Sequence, residues 1–238
     1  MTLSNHSPTA LVTGASRGFG HALTATLVRR GWHVVVNARD ADRLSRSVAA
    51  LPQPAAVTAI PGDVVDHEHR LELARAVATR GRLDLLVHNA SVLGPSPLLP
   101  LADHPLPELL EVFKVNALAP IALTQLVLAA LRATRGRVAH VSSDAAVEAY
   151  EGWGAYGAAK AALDHAARVL AVEEPDVRSW SFDPGDMRTE LHALAEPGVD
   201  LSNLPLPEDV VPALLRLLDE DLPSGRYTAA ALTSALSS

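Results

Sequence analysis

Short apolar runs, rich in β-branched residues, alternate with longer helical patterns along the whole chain, and that alternation limits what it can fold into. The runs are Thr9–Thr13, His33–Asn37, Ala56–Ile60, Leu83–His88, Arg137–Ser142, Val177–Phe182 and Arg226–Ala230. Between them lie Phe19–Arg30, Asp40–Ala50, His67–Thr79, Glu108–Arg132, Trp153–Val172 and Glu208–Leu218. Strands that are apolar nearly throughout and separated by helices predict a parallel sheet covered on both faces. Seven such strands joined by right-handed crossovers give one α/β, doubly wound domain over residues 1–238. No repeat, low-complexity tract or linker-like stretch divides it.

Composition narrows the function classes. The 238 residues carry 20 Lys and Arg against 27 Asp and Glu, a net charge of −7. An acidic surface of that kind repels a phosphate backbone, so no nucleic-acid partner is expected. With no cysteine in the chain, disulfides, thiolate metal sites and cysteine nucleophiles are excluded. Met1–Pro8 has neither the basic nor the apolar region of a signal peptide. The most apolar stretch, Leu118–Leu131, is interrupted by Pro120, Thr124 and Gln125, and it falls short of the roughly 20 residues a bilayer span needs. The expectation is a cytoplasmic protein with no membrane contact. The 10 histidines lack metal-ligand spacing and read as scattered surface residues, with no metal site.

The turn between the first strand and first helix reads Gly14-Ala-Ser16-Arg17-Gly18-Phe19-Gly20. Glycines there remove Cβ atoms, so a dinucleotide pyrophosphate can approach the backbone and the helix N-terminus. The same residues spell a nucleophile elbow around Ser16, as in an α/β-hydrolase. Only one strand precedes Ser16, which weighs against that alternative. The second strand ends in Ala38-Arg39-Asp40, where an NAD-binding fold usually places an acidic residue. Arg39 and Arg17 instead suit a 2′-phosphate, which favours NADP(H) over NAD(H). Asp40 reads as a helix N-cap.

Tyr156 and Lys160 stand four residues apart in a helical pattern, on one face. A nearby ammonium lowers the pKa of a phenol and makes it usable in acid–base chemistry. Ser143 ends the fifth strand shortly before, where its hydroxyl could bond a substrate oxygen gaining charge. Asn116 lies four residues before Pro120, whose missing N–H frees the Asn116 carbonyl to hold a relay water.

With Asp63-Val64, His88-Asn-Ala-Ser91 and Pro184-Gly-Asp-Met-Arg-Thr189, these motifs resemble the compact, single-domain short-chain dehydrogenases/reductases, a Rossmann-type family, from Thr9 to Arg226. The resemblance implies a hydride transfer between a nicotinamide cofactor and a carbonyl or secondary alcohol, with Tyr156 as general acid or base. Ser143 would orient the substrate oxygen. Lys160 would hold the cofactor ribose and lower the Tyr156 pKa, and Asn116 would position a water. Asp63 and Val64 would meet the adenine and Asn89 the adenosine ribose. Pro184, Met187 and Thr189 would contact the carboxamide and phosphates. The resemblance also implies pairing into homodimers or homotetramers. Ser91 departs from the family pattern, which has glycine there, so the loop path is expected to shift. The proline-rich loops 94–107 and 190–207 are expected to form the substrate site. A cofactor-sensing protein without turnover is the remaining alternative.

Overall fold

A computed structural model describes residues 7–234, so most of the stretch read for a targeting signal lies outside the described residues. The strands are β1 (Thr9–Val12), β2 (His33–Ala38), β3 (Val57–Pro61), β4 (Leu85–His88), β5 (Arg137–Val141), β6 (Arg178–Asp183) and β7 (Gly225–Thr228). The helices are α1 (Gly18–Arg29), α2 (Ala41–Ala49), α3 (His67–Arg80), α4 (Leu106–Phe113), α5 (Ala119–Thr134), α6 (Gly154–Glu173), α7 (Glu190–Ala195), α8 (Pro207–Asp219) and α9 (Ala229–Ser234). All pairings are parallel, in the order β3-β2-β1-β4-β5-β6-β7. The seven-stranded, doubly wound Rossmann-type sheet expected from the alternation is the one observed.

Because successive strand residues point to opposite faces, each central strand feeds two cores. Ala10 and Val12 of β1 join Phe19, Leu23 and Leu27 of α1 and Val211 and Leu214 of α8. Leu11, between them, packs with Leu86 of β4, Leu73 of α3 and Leu123 and Val127 of α5. Leu11, Leu23 and Leu86 are wholly buried, and truncating one of them to Ala would cost about 2–5 kcal/mol. Asp40 caps α2 through the Arg43 N–H (2.9 Å), as its sequence position suggests. Gly81, at φ +74°, ends α3 in the left-handed conformation glycine tolerates.

Three local features differ from the sequence reading. The segment read as one helix with a proline kink is α4, a π-helical turn at Lys114–Leu118, and α5. The Ala119 N–H reaches back five residues to the Lys114 carbonyl, so the disruption is an extra residue in the turn as well as the amide Pro120 lacks. Together the three run 29 residues, longer than the apolar stretch weighed from sequence, and half of the most apolar window is buried in the protein. Thr189 caps a short helix, α7, inside what reads as a loop, accepting from the His192 N–H at 3.2 Å. The last strand stops at Thr228 and turns directly into α9.

Candidate active site

The strand order reverses between β1 and β4, which leaves a crevice over the carboxyl ends of the strands. A cavity of about 730 Å³ opens there. Gly14, Ser16, Arg17, Gly18, Phe19, Arg39, Asp63, Val64, Asn89, Ser143, Tyr156, Lys160, Pro184, Met187 and Thr189 all border it. Gly20 and Asn116, also singled out from sequence, do not. Of the two proline-rich loops, 190–207 supplies wall residues, among them Leu191 and Leu206. Loop 94–107 stands behind the wall: Leu98 packs on the cluster of Leu93, Ala145 and Tyr156, and the Ser96 hydroxyl donates to the Leu194 carbonyl at 2.8 Å.

The glycine turn is held by two asparagines. Gly14 sits at φ +67°, and a Cβ there would fall 2.8 Å from the Ala90 Cα, so only glycine fits. Its N–H donates to Asn37 Oδ1 at 3.2 Å. Asn89 Nδ2 donates to the Thr13 and Gly14 carbonyls, each at 2.9 Å. The amide donors of Asn89 are thus spent on the turn, with Gly20 packed beneath them. Arg17, the N-cap of α1, makes no side-chain cap bond, which leaves first-turn N–H groups open to an anion. Phe19 borders the cavity but buries its ring, stacked 5.8 Å from that of Phe182. One carboxylate oxygen of Asp63 accepts the Val65 N–H at 2.9 Å.

Cations gather at one end. Arg17 and Arg43 both bond the carboxylate of Glu190, one to each oxygen, and a second Arg43 nitrogen reaches Glu190 Oε2 at 3.2 Å. Burial pushes the Arg17 guanidinium down from its ordinary value, and the charges of Arg43 and Arg39 add to that. Arg43 and Glu190 were not singled out from sequence. The only signal available for Arg43 was its place in the first turn of α2, close after the end of β2.

At the other end lies the hydroxyl cluster. Gly157, directly after Tyr156, lets α6 lie against the turn after β5; a Cβ there would meet the Ala145 carbonyl oxygen at 2.5 Å. That approach brings Ser143 to Tyr156. Ser143 Oγ donates to Asp144 Oδ1 (2.9 Å) and accepts from the Ala145 N–H (3.2 Å). Tyr156 is 6% exposed and meets Trp153 edge to face. Burial pushes its phenol up to about 12; the Ser91 hydroxyl pulls it down, Asp183 and Asp144 push it further up, and Ser143 pulls it down. Lys160 is 1% exposed, and burial lowers its ammonium to about 8 against the pull of Asp164. The expected depression of the Tyr156 phenol by Lys160 is therefore absent here, because both charged forms have been taken out of water.

Asn116 is completely buried, and its amide closes onto the loop after β4. Its Nδ2 donates to the Val92 carbonyl (2.8 Å), while its Oδ1 accepts from the Val92 N–H (3.0 Å) and Ser91 Oγ (3.1 Å). Among the described residues Ser91 is not one of the non-glycine residues with positive φ, so serine fits this turn without strain. Arg226 of β7 was missed by the sequence reading. It donates to the Ser143 carbonyl (2.9 Å), to Asp183 (3.0 Å) and to Asp164 (3.1 Å).

The histidines are not all on the surface, as their scatter suggested. His33, His69, His88 and His140 are buried. His88 and His140 stack at 5.1 Å beneath the site, and burial, followed by the nearby Lys160, drives His140 down to about 3. His88 and His140 are neutral core residues.

Residues 8–199 match the family model described as short chain dehydrogenase. The chain belongs to the short-chain dehydrogenase/reductase family. This dehydrogenase is 32% identical to the uncharacterized oxidoreductase YciK of Escherichia coli, over 89% of this chain and 86% of that one. Mouse sepiapterin reductase is 33% identical over 78% and 76% of the two chains. A short-chain dehydrogenase of Shigella flexneri, solved in complex with NADP, superposes with a TM-score of 0.87 at 29% identity, covering 94% and 97%. Membership makes the protein an oxidoreductase and sets aside both the hydrolase reading of Ser16 and the reading without turnover.

Proposed function

We propose that the protein is an NADP(H)-dependent oxidoreductase that interconverts a carbonyl compound and a secondary alcohol. The observation that carries this reading is the Tyr156 phenol, which borders the cavity beside Ser143 with Lys160 close behind. The residues fit a dinucleotide: a glycine cradle that a Cβ would fill, an uncapped helix N-terminus and a cavity of ample size. Arg17 and Arg43 already converge on a carboxylate, and the same guanidinium forks take a phosphate. The NADP-bound Shigella relative supports that choice.

When bound, the dinucleotide supplies or accepts the hydride. The chain contributes orientation and a proton. In reduction Tyr156 donates its phenolic proton to the carbonyl oxygen, which Ser143 holds by a hydrogen bond as it gains charge. Lys160 holds the ribose, and the Asn116 carbonyl seats a relay water. Arg39 assists at the 2′-phosphate, Asp63, Val64 and Asn89 border the adenosine half, and Pro184, Met187 and Thr189 border the nicotinamide half. Loop 190–207 selects the substrate, braced from behind by loop 94–107, within a single domain located in the cytoplasm.

Leu110, Leu118, Leu126 and Val172 are exposed along α4 to α6. Pairing of two copies through these helices would cover them, and sedimentation would show a dimer or tetramer. The activity test is a screen of ketones, diketones and secondary alcohols with NADPH, NADH and their oxidised forms. Turnover preferring the phosphorylated cofactor is the expected result; turnover preferring NADH overturns the cofactor assignment.

A further inference from the structure

Resting on the reading of Tyr156 as the acid–base group, the structure assigns to Ser91 a part in the same chemistry. The residue entered the sequence reading only as a lost glycine. Its side chain instead occupies the space between two functional groups. On one side Ser91 Oγ donates to Asn116 Oδ1 at 3.1 Å. On the other side Ser91 and Tyr156 border the same cavity, and the Ser91 hydroxyl, like that of Ser143, pulls the Tyr156 phenol down against the rise that burial causes. Ser91 borders the cavity while Asn116 lies behind it, so Ser91 is the link between the buried amide and the reacting oxygen.

We propose that Ser91 is a positioning residue that turns its single proton between Asn116 and Tyr156 as the phenol gains and loses its own. A serine hydroxyl has one O–H to give and lone pairs to accept with. While the phenol is protonated, Ser91 donates to Asn116 Oδ1 and can accept from Tyr156. In reduction the carbonyl carbon takes the hydride, the Tyr156 O–H bond breaks, and a new O–H bond forms on the substrate oxygen. The phenolate left behind then needs a donor, and Ser91 can rotate its proton onto it, exchanging its hydrogen bond to Asn116 for one to Tyr156 with no covalent bond of the protein formed or broken. Water entering the open cavity returns the proton. In the oxidative direction the same sequence runs backwards.

The turn leaves nothing orphaned. Asn116 Oδ1 also accepts from the Val92 N–H at 3.0 Å, so it stays satisfied when Ser91 swings away. The Asn116 amide cannot follow, because its Nδ2 is tied to the Val92 carbonyl at 2.8 Å. The pivot is therefore fixed and only the hydroxyl proton moves. The surroundings make such a donor valuable. Asp183 of β6 and Asp144 after β5 face the phenol with negative charge. From α6 the Lys160 ammonium stands 5.5 Å from the ring centroid, but it donates to the Val141 carbonyl rather than to the phenol. Neutral hydroxyls are what the site provides next to the reacting oxygen.

The test is the pH dependence of kcat/KM for oxidation of a secondary alcohol in Ser91→Ala, Ser91→Gly and Ser91→Thr, with cofactor dissociation constants measured alongside. Loss of one hydrogen bond to a charged group should move the Tyr156-dependent limb up by about one to two pH units. It should also lower neutral-pH turnover about 10- to 100-fold, with NADPH affinity within about twofold of the parent. Ser91→Thr, which keeps the hydroxyl, should restore the limb. An unmoved limb in Ser91→Ala, or a loss of NADPH affinity that matches the loss of turnover, overturns the assignment and leaves Ser91 as a loop residue. Tyr156→Phe separates the two levels: if that variant turns over at a rate close to the parent's, the reading of Tyr156 fails, whatever Ser91 shows.

Discussion

Lys160 Nζ lies 5.5 Å from the centroid of the Tyr156 ring and donates to the Val141 carbonyl at 2.7 Å. The i, i+4 step on α6 places the two side chains together, and burial of both sets their ionisation. A phenol near 12 beside an ammonium near 8 is a pair held mostly in its proton-bearing form at neutral pH. That state suits donation of a proton to a carbonyl.

Removal of the phenolic oxygen should therefore separate chemistry from binding. Tyr156→Phe is expected to lower kcat by about 10²–10⁴, the usual worth of a general acid. NADPH affinity, followed by the cofactor's fluorescence, should change little. Matching losses in kcat and affinity would assign Tyr156 to binding instead.

The direction of reaction should depend on pH in a stated sense. Reduction needs the protonated phenol, and a value raised to about 12 keeps that form through the whole neutral and mildly alkaline range. Oxidation needs the ionised form, so its rate should climb steadily as pH rises from about 7 to 10. A pair of pH–rate profiles checks this, and an oxidation rate falling over that interval would contradict it.

Burial makes the charged form of Lys160 a cost to the fold, one that the proposed chemistry would account for. Its folded value, about 8, lies below the ordinary 10.5, so the unfolded chain binds more protons between those two values. Folding stability attributable to this group thus rises with pH through that window. Tyr156 works oppositely: its value is raised, so its contribution is lost as pH climbs from about 10 to about 12. Lys160→Met should lose most activity yet melt no lower than the parent at pH 7. The difference in Tm should narrow as pH rises from about 8 to 10, and a Met variant that melts well below the parent at pH 7 would refute this.

Arg43 and Glu190 should act in opposite senses on cofactor choice. Arg43→Ala is expected to weaken NADPH binding about 10- to 100-fold, with NADH affinity nearly unchanged, since only the phosphate uses the fork. Glu190→Gln should tighten NADPH binding by a few-fold at most, because an exposed ion pair is worth about 0.2–1 kcal/mol. Titration calorimetry with 2′,5′-ADP and 5′-AMP would expose a phosphate-independent effect.

Arg226 joins three parts of the site. Its partners Asp164 and Asp183 are nearly buried, each with a 7% exposed side chain. Arg226→Met leaves both without that cation, at a cost of about 3–5 kcal/mol. A chain of this size should then melt roughly 10 °C lower, with kcat reduced through the loosened Ser143. Calorimetry and a rate measurement at 20 °C below the new Tm distinguish the two effects.

The parts of this site that were legible in the sequence are those whose geometry is local. Tyr156 and Lys160 share a helix face by their spacing, and the glycine turn declares itself between a strand and a helix. Thr189 was read as a cofactor contact, although its position before Glu190 also carried the capping signal for α7. Residues that meet across the sheet were not legible. His88 lies beside His140 only because β4 and β5 pair in that register, and a scattered histidine carries no mark of it. Arg226 is 43 to 83 residues from the groups it bonds, so no periodicity could have indicated it. Ser91 was visible as a departure from a pattern. What the departure supplied, a hydroxyl at bonding distance from Asn116, required the fold.

The guanidinium of Arg226 also places the site in time. Ser143, Tyr156 and Lys160 lie well before β7, so a chain still being synthesised has them in hand long before residue 226 is made. Until that strand joins the edge of the sheet, the Ser143 carbonyl lacks this donor and two acidic side chains lack this counterion. On the proposed reading of these residues, completion of the sheet is the last step in fixing the reaction centre, and a nascent or truncated chain would lack the Arg226 contacts to Ser143, Asp164 and Asp183.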